Sequence, residues 1–304
     1  MKLLFPRNEM MKKLPDPVFE HEYDAAKALG WTCLLFGEAE LFYYGTEEAI
    51  TTLPEGDGGP ILYRGWIWTE EAYRRFYHAL LERGYRLVST PEQYAEVTYF
   101  PNYYPKVREH SPAAVWTDTP DAYLAWSQSR KLGDGPFVLK DHIKSAKHIW
   151  HEACFVPKGA GREHFESVAE ALRTEQGKTF HRGFVVKQYV PLRSRGPSPR
   201  EYPMCEEYRL FFWRGKLLIA SHYHNQTANP ADWTPFESLA QRFKAPFFTM
   251  DVAQTEGGTW LVVDMGAGEC SSLPPSLPAT TFYSQLQYTL ARDGELQSEA
   301  KQDA

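Results

Sequence analysis

Two acidic residues lie inside apolar, strand-like stretches in the last quarter of the chain. Asp251 is part of FFTMDVA at Phe247–Ala253, and Asp264 follows WLVV. The segment Gln254–Gly258 (QTEGG) between them predicts a hairpin, which would place both carboxylates on neighbouring strands. A buried carboxylate needs a cation or hydrogen bonds. The pair indicates a Mg²⁺ site, because one or two carboxylates and substrate phosphates usually hold that ion. The alternative is that each aspartate ends a strand or pairs with a lysine.

A basic segment follows the predicted strand Phe137–Lys140 (FVLK). Lys144 and Lys147 lie in the connector Asp141–Trp150. Mobile ammonium groups are well suited to the oxygens of a triphosphate. The alternative for the connector is a solvated basic turn, whereas Lys140 ends an apolar strand. An adenylated lysine of a nucleic-acid ligase is excluded, because that chemistry needs a Lys-x-Asp-Gly loop and Asp141 follows Lys140 directly.

Two further strands carry polar residues that could contact a nucleotide. The strand Gly183–Val190 (GFVVKQYV) ends in Lys187, Gln188, Tyr189 and Val190, whose backbone could face an adenine edge. Glu207 and Arg209 are two residues apart on a predicted strand and therefore share one face. They could form a structural ion pair or bind the nucleotide.

The composition of the chain and the absence of several known motifs exclude some classes of function. The chain has no GxxxxGK[ST], no GxGxxG after a strand, no HExxH and no GxSxG, so a P-loop or Rossmann turn is excluded as the nucleotide site. A hydrophobic content of 43% indicates a folded globular protein. The net charge of −6 argues against general nucleic-acid affinity. No apolar run is long enough for a membrane span, and four scattered cysteines predict reduced thiols in a cytoplasmic protein.

The order of elements predicts an open α/β sheet in about the first hundred residues. Pro101–Pro112 is then expected to cross into the next unit. Further along, we predict a hairpin at Arg214-Gly215, a mobile polar loop at Arg193–Tyr202 and a disordered tail after Leu290. The remaining predicted elements are helices at Phe19–Gly30, Thr69–Gly84, Thr119–Leu132, Glu163–Glu175 and Pro235–Phe243, and strands at Trp31–Phe36, Ile61–Trp68 and Arg86–Ser89.

Taken in order, these segments resemble the ATP-grasp superfamily, and more narrowly its small bacterial and phage clade of predicted amino-acid or peptide ligases. The resemblance covers roughly residues 60–275. It implies an α/β and α+β fold with ATP between two subdomains. The implied domains are an N-terminal α/β pre-ATP-grasp domain (1–112), a lid subdomain (113–186), a C-terminal subdomain with the metal site (187–290) and a polar tail (291–304).

The resemblance also implies roles for individual residues. Lys140 and Lys144 match the phosphate and adenine-side lysines, and Glu207 and Arg209 match ribose or phosphate contacts. The other matches are Lys187, Gln188, Tyr189 and Val190 for the adenine hinge, Asp251 and Asp264 for Mg²⁺, and Arg209 and Lys144 for catalysis.

Two positions depart from the family pattern. Lys187 stands where ATP-grasp enzymes often have a glutamate. Ala267 stands where close relatives tend to have an aspartate, which leaves open a weakened second metal site or a shift of that role to Glu269.

The implied function is an ATP-dependent carboxylate–amine ligase that forms an amide through an acyl phosphate, with ATP and Mg²⁺ as cofactors. The alternatives are a non-catalytic or regulatory ATP-binding module and a phosphotransferase of the same fold. The expected partners are small-molecule or peptide carboxylate and amine substrates and a second copy in a homodimer. Arg64, His222 and His224 are substrate candidates by position, although Arg64 could equally be a buried structural arginine.

Overall fold

The computed structural model describes residues 1–38, 41, 45, 49–197, 203–224 and 231–302. The chain forms two compact units, each assembled from separate stretches of sequence. Unit 1 comprises Met1–Ala95, Leu210–Thr249 and Ala267–Ala304, and unit 2 comprises Glu96–Arg209 and Met250–Gly266. The mixed α/β fold class is confirmed. The domain limits at 112/113 and 186/187 stay a prediction.

The N-terminal part of unit 1 contains a parallel sheet with strand order β2-β1-β3-β4. Thr69 caps the second helix by accepting a hydrogen bond from Ala72 N at 3.2 Å, as its residue type and position predict. The elements are β1 (Lys2–Pro6), α1 (Glu20–Ala28), β2 (Cys33–Phe36), β3 (Pro60–Tyr63), α2 (Glu70–Glu82), β4 (Arg86–Leu87) and α3 (Pro91–Thr98). The alternation of helix and strand along this stretch is confirmed, but β3 ends at Tyr63 instead of Trp68.

Unit 2 contains an antiparallel sheet with strand order β5-β8-β6-β7. Its elements are α4 (Phe100–Val107), β5 (Ala114–Trp116), α5 (Ala122–Ser129), β6 (Phe137–Asp141), α6 (Trp150–Ala153), β7 (Phe155–Val156), α7 (Arg162–Gln176) and β8 (Phe184–Gln188). In the β6–β8 register Leu139 faces Val186, and both side chains join the buried core formed with α5 and α7. Alternate residues of these strands therefore point to the opposite face.

A third sheet has the order β12-β11-β13-β14. Its strands are β11 (Glu207–Trp213), β12 (Lys216–His222), β13 (Phe247–Gln254) and β14 (Trp260–Ala267). Both predicted hairpins are confirmed. The first turn has positive φ at Arg214 (49°) and Gly215 (73°), as in a type I′ turn. The second is closed by a hydrogen bond of 2.8 Å from Thr255 N to Thr259 O.

Apolar side chains of β11, β13 and the C-terminal helix form the core of unit 1. The rings of Phe211 and Phe282 pack with their centroids 5.1 Å apart, and Phe247 belongs to the same buried cluster. The remaining helices of this unit are α8 (Thr234–Ala240) and α9 (Ala279–Gln302). The helix α9 continues through Gln302, so the expectation of disorder after Leu290 is wrong over residues 291–302.

Two other expectations need correction. Within the predicted polar loop, β9 (Ser194–Pro197) pairs antiparallel with β10 (Pro203–Cys205), while residues 198–202 lie outside the described part of the chain. The segment Pro101–Pro112, expected to cross into the next unit, lies within unit 2, which begins at Glu96, and much of it belongs to helix α4, Phe100–Val107. In the part of the chain that the structure describes, no helix combines the length and apolarity that crossing a membrane would require.

Candidate functional site

Asp264 on β14 is the centre of a cluster of polar residues in unit 2. Its Oδ1 atom accepts hydrogen bonds from Lys140 Nζ at 2.7 Å, Tyr103 OH at 2.9 Å and Met265 N at 3.0 Å. Among the described residues, no donor contacts Oδ2. The side chain is 27% exposed. One oxygen of Asp264 is thus held by the protein, and the other is accessible to a ligand.

The charges around Asp264 keep it ionised. Burial alone would raise the pKa of its carboxyl group, but the positive charges of Lys140 and Lys187 outweigh burial and hold the pKa below its ordinary value. Burial and the Asp264 charge raise the pKa of Tyr103 well above 10.0, so this phenol stays protonated and donates its hydrogen bond. The site therefore presents an anionic oxygen at neutral pH.

Asp251 on β13 forms an ion pair with Arg209 on β11. Arg209 Nε and Nη2 each donate to one carboxylate oxygen of Asp251 at 2.8 Å, and both residues are buried. This is the bidentate geometry that the planar guanidinium favours. Arg209 thus forms a bidentate ion pair across the sheet, with Asp251 as its partner. Burial raises the pKa of Asp251, and Arg209 opposes that rise.

Lys140 and Lys187 lie on one face of the unit 2 sheet. Lys140 is opposite Val185, which precedes Lys187 by two residues on β8, so the two lysines share the face opposite the apolar core. Lys187 Nζ donates to Val263 O and lies 5.7 Å from the centre of the Phe100 ring. Burial lowers the pKa of Lys187 to about 7. Both ammonium groups are buried against β14, where Lys140 contacts Asp264 and Lys187 contacts Val263.

The predicted adenine hinge follows the end of β8. The N–H of Gln188 donates to Ala113 O at 2.7 Å and that of Tyr189 to Pro136 O at 2.9 Å. In the described part of the chain, the N–H of Val190 donates to no backbone carbonyl. The ring of Tyr189 packs edge-on against Phe155, with centroids 5.3 Å apart. An adenine edge could therefore receive the Val190 N–H, whereas the Gln188 N–H is engaged within the protein.

The remaining predicted residues of unit 2 are Lys144 and Glu207. Lys144 is exposed on the turn after β6. This turn is fixed by the Asp141 carboxylate, which accepts hydrogen bonds from the Ile143 and Lys144 N–H groups. Glu207 is buried, and its Oε1 lies 3.9 Å from Lys147 Nζ.

Sequence reasoning missed the roles of Tyr103 and Asp141. Tyr103 lies on helix α4, which the prolines in that stretch made hard to predict. Asp141 ends β6, whereas the sequence pattern places it in the basic connector. The residue type of Asp141, directly after a strand and before a turn, was an available signal, since aspartate often bonds backbone N–H groups just ahead in the chain.

Arg64, in unit 1, is buried and paired with an acidic residue, which favours the structural one of its two predicted roles. It is 1% exposed. Its Nε and Nη2 atoms donate to the two carboxylate oxygens of Glu22 at 2.9 and 2.8 Å, and Nη1 donates to Gly268 O. Tyr283 OH donates to Glu22 as well, at 2.7 Å.

Three other candidates in unit 1, His222, Glu269 and Ala267, are buried. His222 is 2% exposed, and its Nδ1 accepts a hydrogen bond from the N–H of His224 at 3.1 Å. Glu269 is 1% exposed and accepts a hydrogen bond from Ser89 Oγ. Burial raises the pKa of Glu269 to about 7. Ala267 is 2% exposed.

The donor set of unit 2 fits a hard cation. Asp264 offers Oδ2, and each oxygen of Asp251 retains a lone pair beyond its bond to Arg209. Carboxylate oxygens are preferred ligands of Mg²⁺, which also takes phosphate oxygens and water. The lysines on the facing strands supply the positive charge that a polyphosphate requires.

Comparison with known proteins is consistent with this geometry. Residues 131–286, just over half of the chain, match the family described as ATP-grasp domain, R2K clade family 3. No curated protein matches the sequence.

Several solved structures share the fold at low sequence identity. The RimK domain protein ATP-grasp from Sphaerobacter thermophilus DSM 20745 is 16% identical, with a TM-score of 0.57 over 93% of this chain and 98% of that one. D-cycloserine synthetase DcsG is 14% identical, with a TM-score of 0.59 over 95% and 100%. Macrocyclase MdnC from Microcystis aeruginosa MRC, bound with precursor peptide MdnA, is 10% identical, with a TM-score of 0.51 over 94% and 99%.

Proposed function

Because the chain belongs to the ATP-grasp domain family of the R2K clade, family 3, we propose that it is an ATP-dependent ligase that joins a carboxylate to an amine. The observation that carries this proposal is the ion pair between Lys140 and Asp264. Lys140 matches a phosphate-binding lysine of the family, and Asp264 is an ionised carboxylate with one oxygen accessible to a ligand. Support comes from structural neighbours described as a synthetase, a macrocyclase and an ATP-grasp ligase complexed with Mg and ADP.

The nucleotide is proposed to lie along the lysine-bearing face of the unit 2 sheet. Its adenine would contact the backbone at Val190 beside the Tyr189 ring, and its phosphates would extend past Lys187 towards Lys140. The register supports this order, since Gln188 is opposite Phe137 at one end of the pairing and Lys140 lies three residues further along β6. The predicted contact of Glu207 with the ribose or a phosphate is part of the same proposal.

Asp264 and Asp251 are the residues proposed to hold Mg²⁺. The ion, when bound, neutralises charge on the phosphate oxygens. Arg209 fixes the orientation of Asp251 through two hydrogen bonds and supplies positive charge near the transferring phosphoryl group. Tyr103 and the Met265 N–H hold Asp264 in place through Oδ1.

The proposed reaction needs no protein nucleophile. A carboxylate oxygen of the substrate attacks the γ-phosphorus of ATP, the bond to the bridging oxygen breaks, and ADP leaves with that electron pair. The amine then attacks the carbonyl carbon of the acyl phosphate and loses a proton, and phosphate leaves as the amide forms. The protein positions the reactants and neutralises charge, through Lys140, Lys187 and Lys144 on the phosphates.

The substrates are proposed to be small molecules or peptides. Two structural neighbours, the macrocyclase MdnC and the ATP-grasp ligase PsnB, are described in complex with precursor peptides, which supports a peptide as one partner. A cytoplasmic location and a homodimer stay predictions.

The proposal is tested by incubating the full chain with Mg²⁺, ATP and pooled carboxylates and amines, and analysing nucleotide and products by mass spectrometry. A ligase forms ADP and an amide only when both substrate classes are present. Phosphorylation of a hydroxyl compound without an amide would identify a phosphotransferase. Binding of ATP with no turnover in any pool would favour the non-catalytic alternative.

A further inference from the structure

A cluster of three basic residues lies at the end of the unit 2 sheet opposite the predicted adenine hinge. Lys144 follows β6, and His181 and Arg182 precede β8. In the register, Gln188 faces Phe137 at the hinge end, and Phe184 faces Asp141 at the other end. Lys144 and Arg182 are exposed, and His181 is 9% exposed. The two cations are therefore accessible from solvent, whereas the imidazole is buried between the loops.

The buried Asp141 carboxylate joins the two loops that carry these residues. Its Oδ1 accepts the N–H groups of Ile143 and Lys144, and its Oδ2 accepts the N–H of His181 at 2.8 Å. The N–H of Asp141 in turn donates to Lys144 O at 2.9 Å. Asp141 is 0% exposed. The relative position of the two loops is thus set by a buried, hydrogen-bonded group.

Arg182 has a backbone conformation that non-glycine residues rarely adopt. Its φ is 65°. The residues on both sides hold it there, since the His181 N–H is bound to Asp141 and a Cβ on Gly183 would lie 1.9 Å from Thr117 O. Backbone strain of this kind persists where the surroundings enforce it and concentrates at ligand sites.

The positive charge of the cluster is carried by Lys144 and Arg182. The Arg182 guanidinium lies 4.1 Å from the centre of the Tyr99 ring, which orients it by stacking. Burial and the charges of Lys144 and Arg182 lower the pKa of His181 to about 4, so its ring is neutral at pH 7. The Asp141 carboxylate, which joins the loops, faces backbone N–H groups. A negative group could therefore be received by two cations and an imidazole.

We propose that Lys144, His181 and Arg182 form an oxyanion-binding site that receives a phosphate or carboxylate group at this end of the sheet. The inference rests on the proposed function, because a nucleotide running from Val190 past Lys187 and Lys140 directs its phosphates towards this end. The anion has two possible sources, the terminal phosphate of the nucleotide and an acidic group of the second substrate. Both have the same recognition chemistry.

The test uses inorganic pyrophosphate as the probe and isothermal titration calorimetry of the full chain at low ionic strength. Arg182→Gly should weaken pyrophosphate binding at least about 10-fold, because a charge-assisted contact is lost. Arg182→Lys should restore part of it. Lys178→Ala is the matched control, since it removes one exposed cation from the preceding turn and should change the affinity less than about twofold.

Thermal unfolding of the same variants shows whether each of them is still folded. Glycine accepts a positive φ without strain, so Arg182→Gly should unfold thermally at or above the wild-type temperature. Unchanged pyrophosphate affinity in Arg182→Gly, or an equal loss in Lys178→Ala, would overturn the proposal.

Nucleotide titrations distinguish the two sources. If the site receives the terminal phosphate, Arg182→Gly weakens AMPPNP binding more than ADP binding. If it receives the second substrate, AMPPNP binding is unchanged and the AMPPNP-saturated wild type still binds pyrophosphate through Arg182. Either result supports the site.

The oxyanion site and the proposed ligase function can be rejected independently of each other. ATP turnover with pyrophosphate binding that is insensitive to Arg182→Gly rejects this site alone. Binding that depends on Arg182, without ligase products in any pool, rejects the proposed function alone.

Discussion

Lys140 Nζ lies 2.7 Å from Asp264 Oδ1, which joins the lysine at the end of β6 to the carboxylate of β14. The two residues are 124 positions apart in the chain. The pair lowers the pKa of Asp264 and leaves its second oxygen accessible. The proposed role of Lys140 in phosphate binding and that of Asp264 in Mg²⁺ binding therefore depend on each other.

Lys140→Ala should weaken nucleotide binding by about 1.5–3 kcal/mol, the range for loss of a hydrogen bond to a charged group. Asp264 keeps its bonds to Tyr103 and the Met265 N–H, so the fold should persist. Calorimetric titration of ATP and thermal unfolding measure the two effects. Lys131→Ala, which removes an exposed lysine from the same unit, is the control. A large fall in thermal stability with unchanged ATP affinity would make Lys140 structural.

Asp264→Asn and Asp251→Asn should both lose turnover and both lower the stability of the fold. The asparagine side chain in Asp264→Asn keeps a hydrogen-bond acceptor but leaves the buried Lys140 ammonium without its counter-charge. The loss of stability should be smaller than for Asp251→Asn, since the Asp264 side chain is 27% exposed and that of Asp251 only 10%. Asp251→Asn leaves the buried Arg209 guanidinium without its counter-charge and should cost about 3–5 kcal/mol. Urea denaturation and ADP formation at limiting Mg²⁺ measure these effects. Near wild-type activity of Asp264→Asn would contradict the metal assignment.

Glu269 should make the protein less stable as pH rises. Its folded-state pKa of about 7 exceeds the ordinary 4.5, so the folded protein binds the proton more tightly than the unfolded chain. The stability that this proton contributes is fully present below about pH 4.5 and is lost as pH rises through 7. Glutamine resembles the protonated acid, and Glu269→Gln should therefore be more stable than wild type at pH 8, by up to about 3 kcal/mol. Urea denaturation at pH 5 and pH 8 checks this, with the exposed Glu71→Gln as control. Equal stability differences at both pH values would refute it.

Arg64→Met should destabilise the protein by about 3–5 kcal/mol, because Glu22 would remain buried without its partner. The double variant Glu22→Gln/Arg64→Met should recover much of that loss, since no buried charge remains. Chemical denaturation of the single and double variants gives the coupling energy. A stable Arg64→Met that loses only affinity for a carboxylate substrate would restore the substrate-binding assignment.

Local patterns predicted the elements that carry the site, and tertiary contacts determined the rest. The apolar runs and the QTEGG turn correctly placed Asp251 and Asp264 on adjacent strands. The Arg209–Asp251 and Tyr103–Asp264 contacts join residues 42 and 161 positions apart, and no local spacing encodes such partners. The partner of Arg64 was equally hidden from local patterns, because Glu22 lies 42 residues away in the chain.

The most direct test of the proposed ligase uses a substrate carboxylate labelled with ¹⁸O, taken from the pair of substrates that supports ADP formation. We expect one labelled oxygen in inorganic phosphate for each amide formed, because the carboxylate oxygen attacks the γ-phosphorus and leaves with phosphate. Mass spectrometry of the released phosphate measures this transfer, with Asp264→Asn as the inactive control. Label in AMP instead, or unlabelled phosphate beside the amide, would contradict activation through an acyl phosphate.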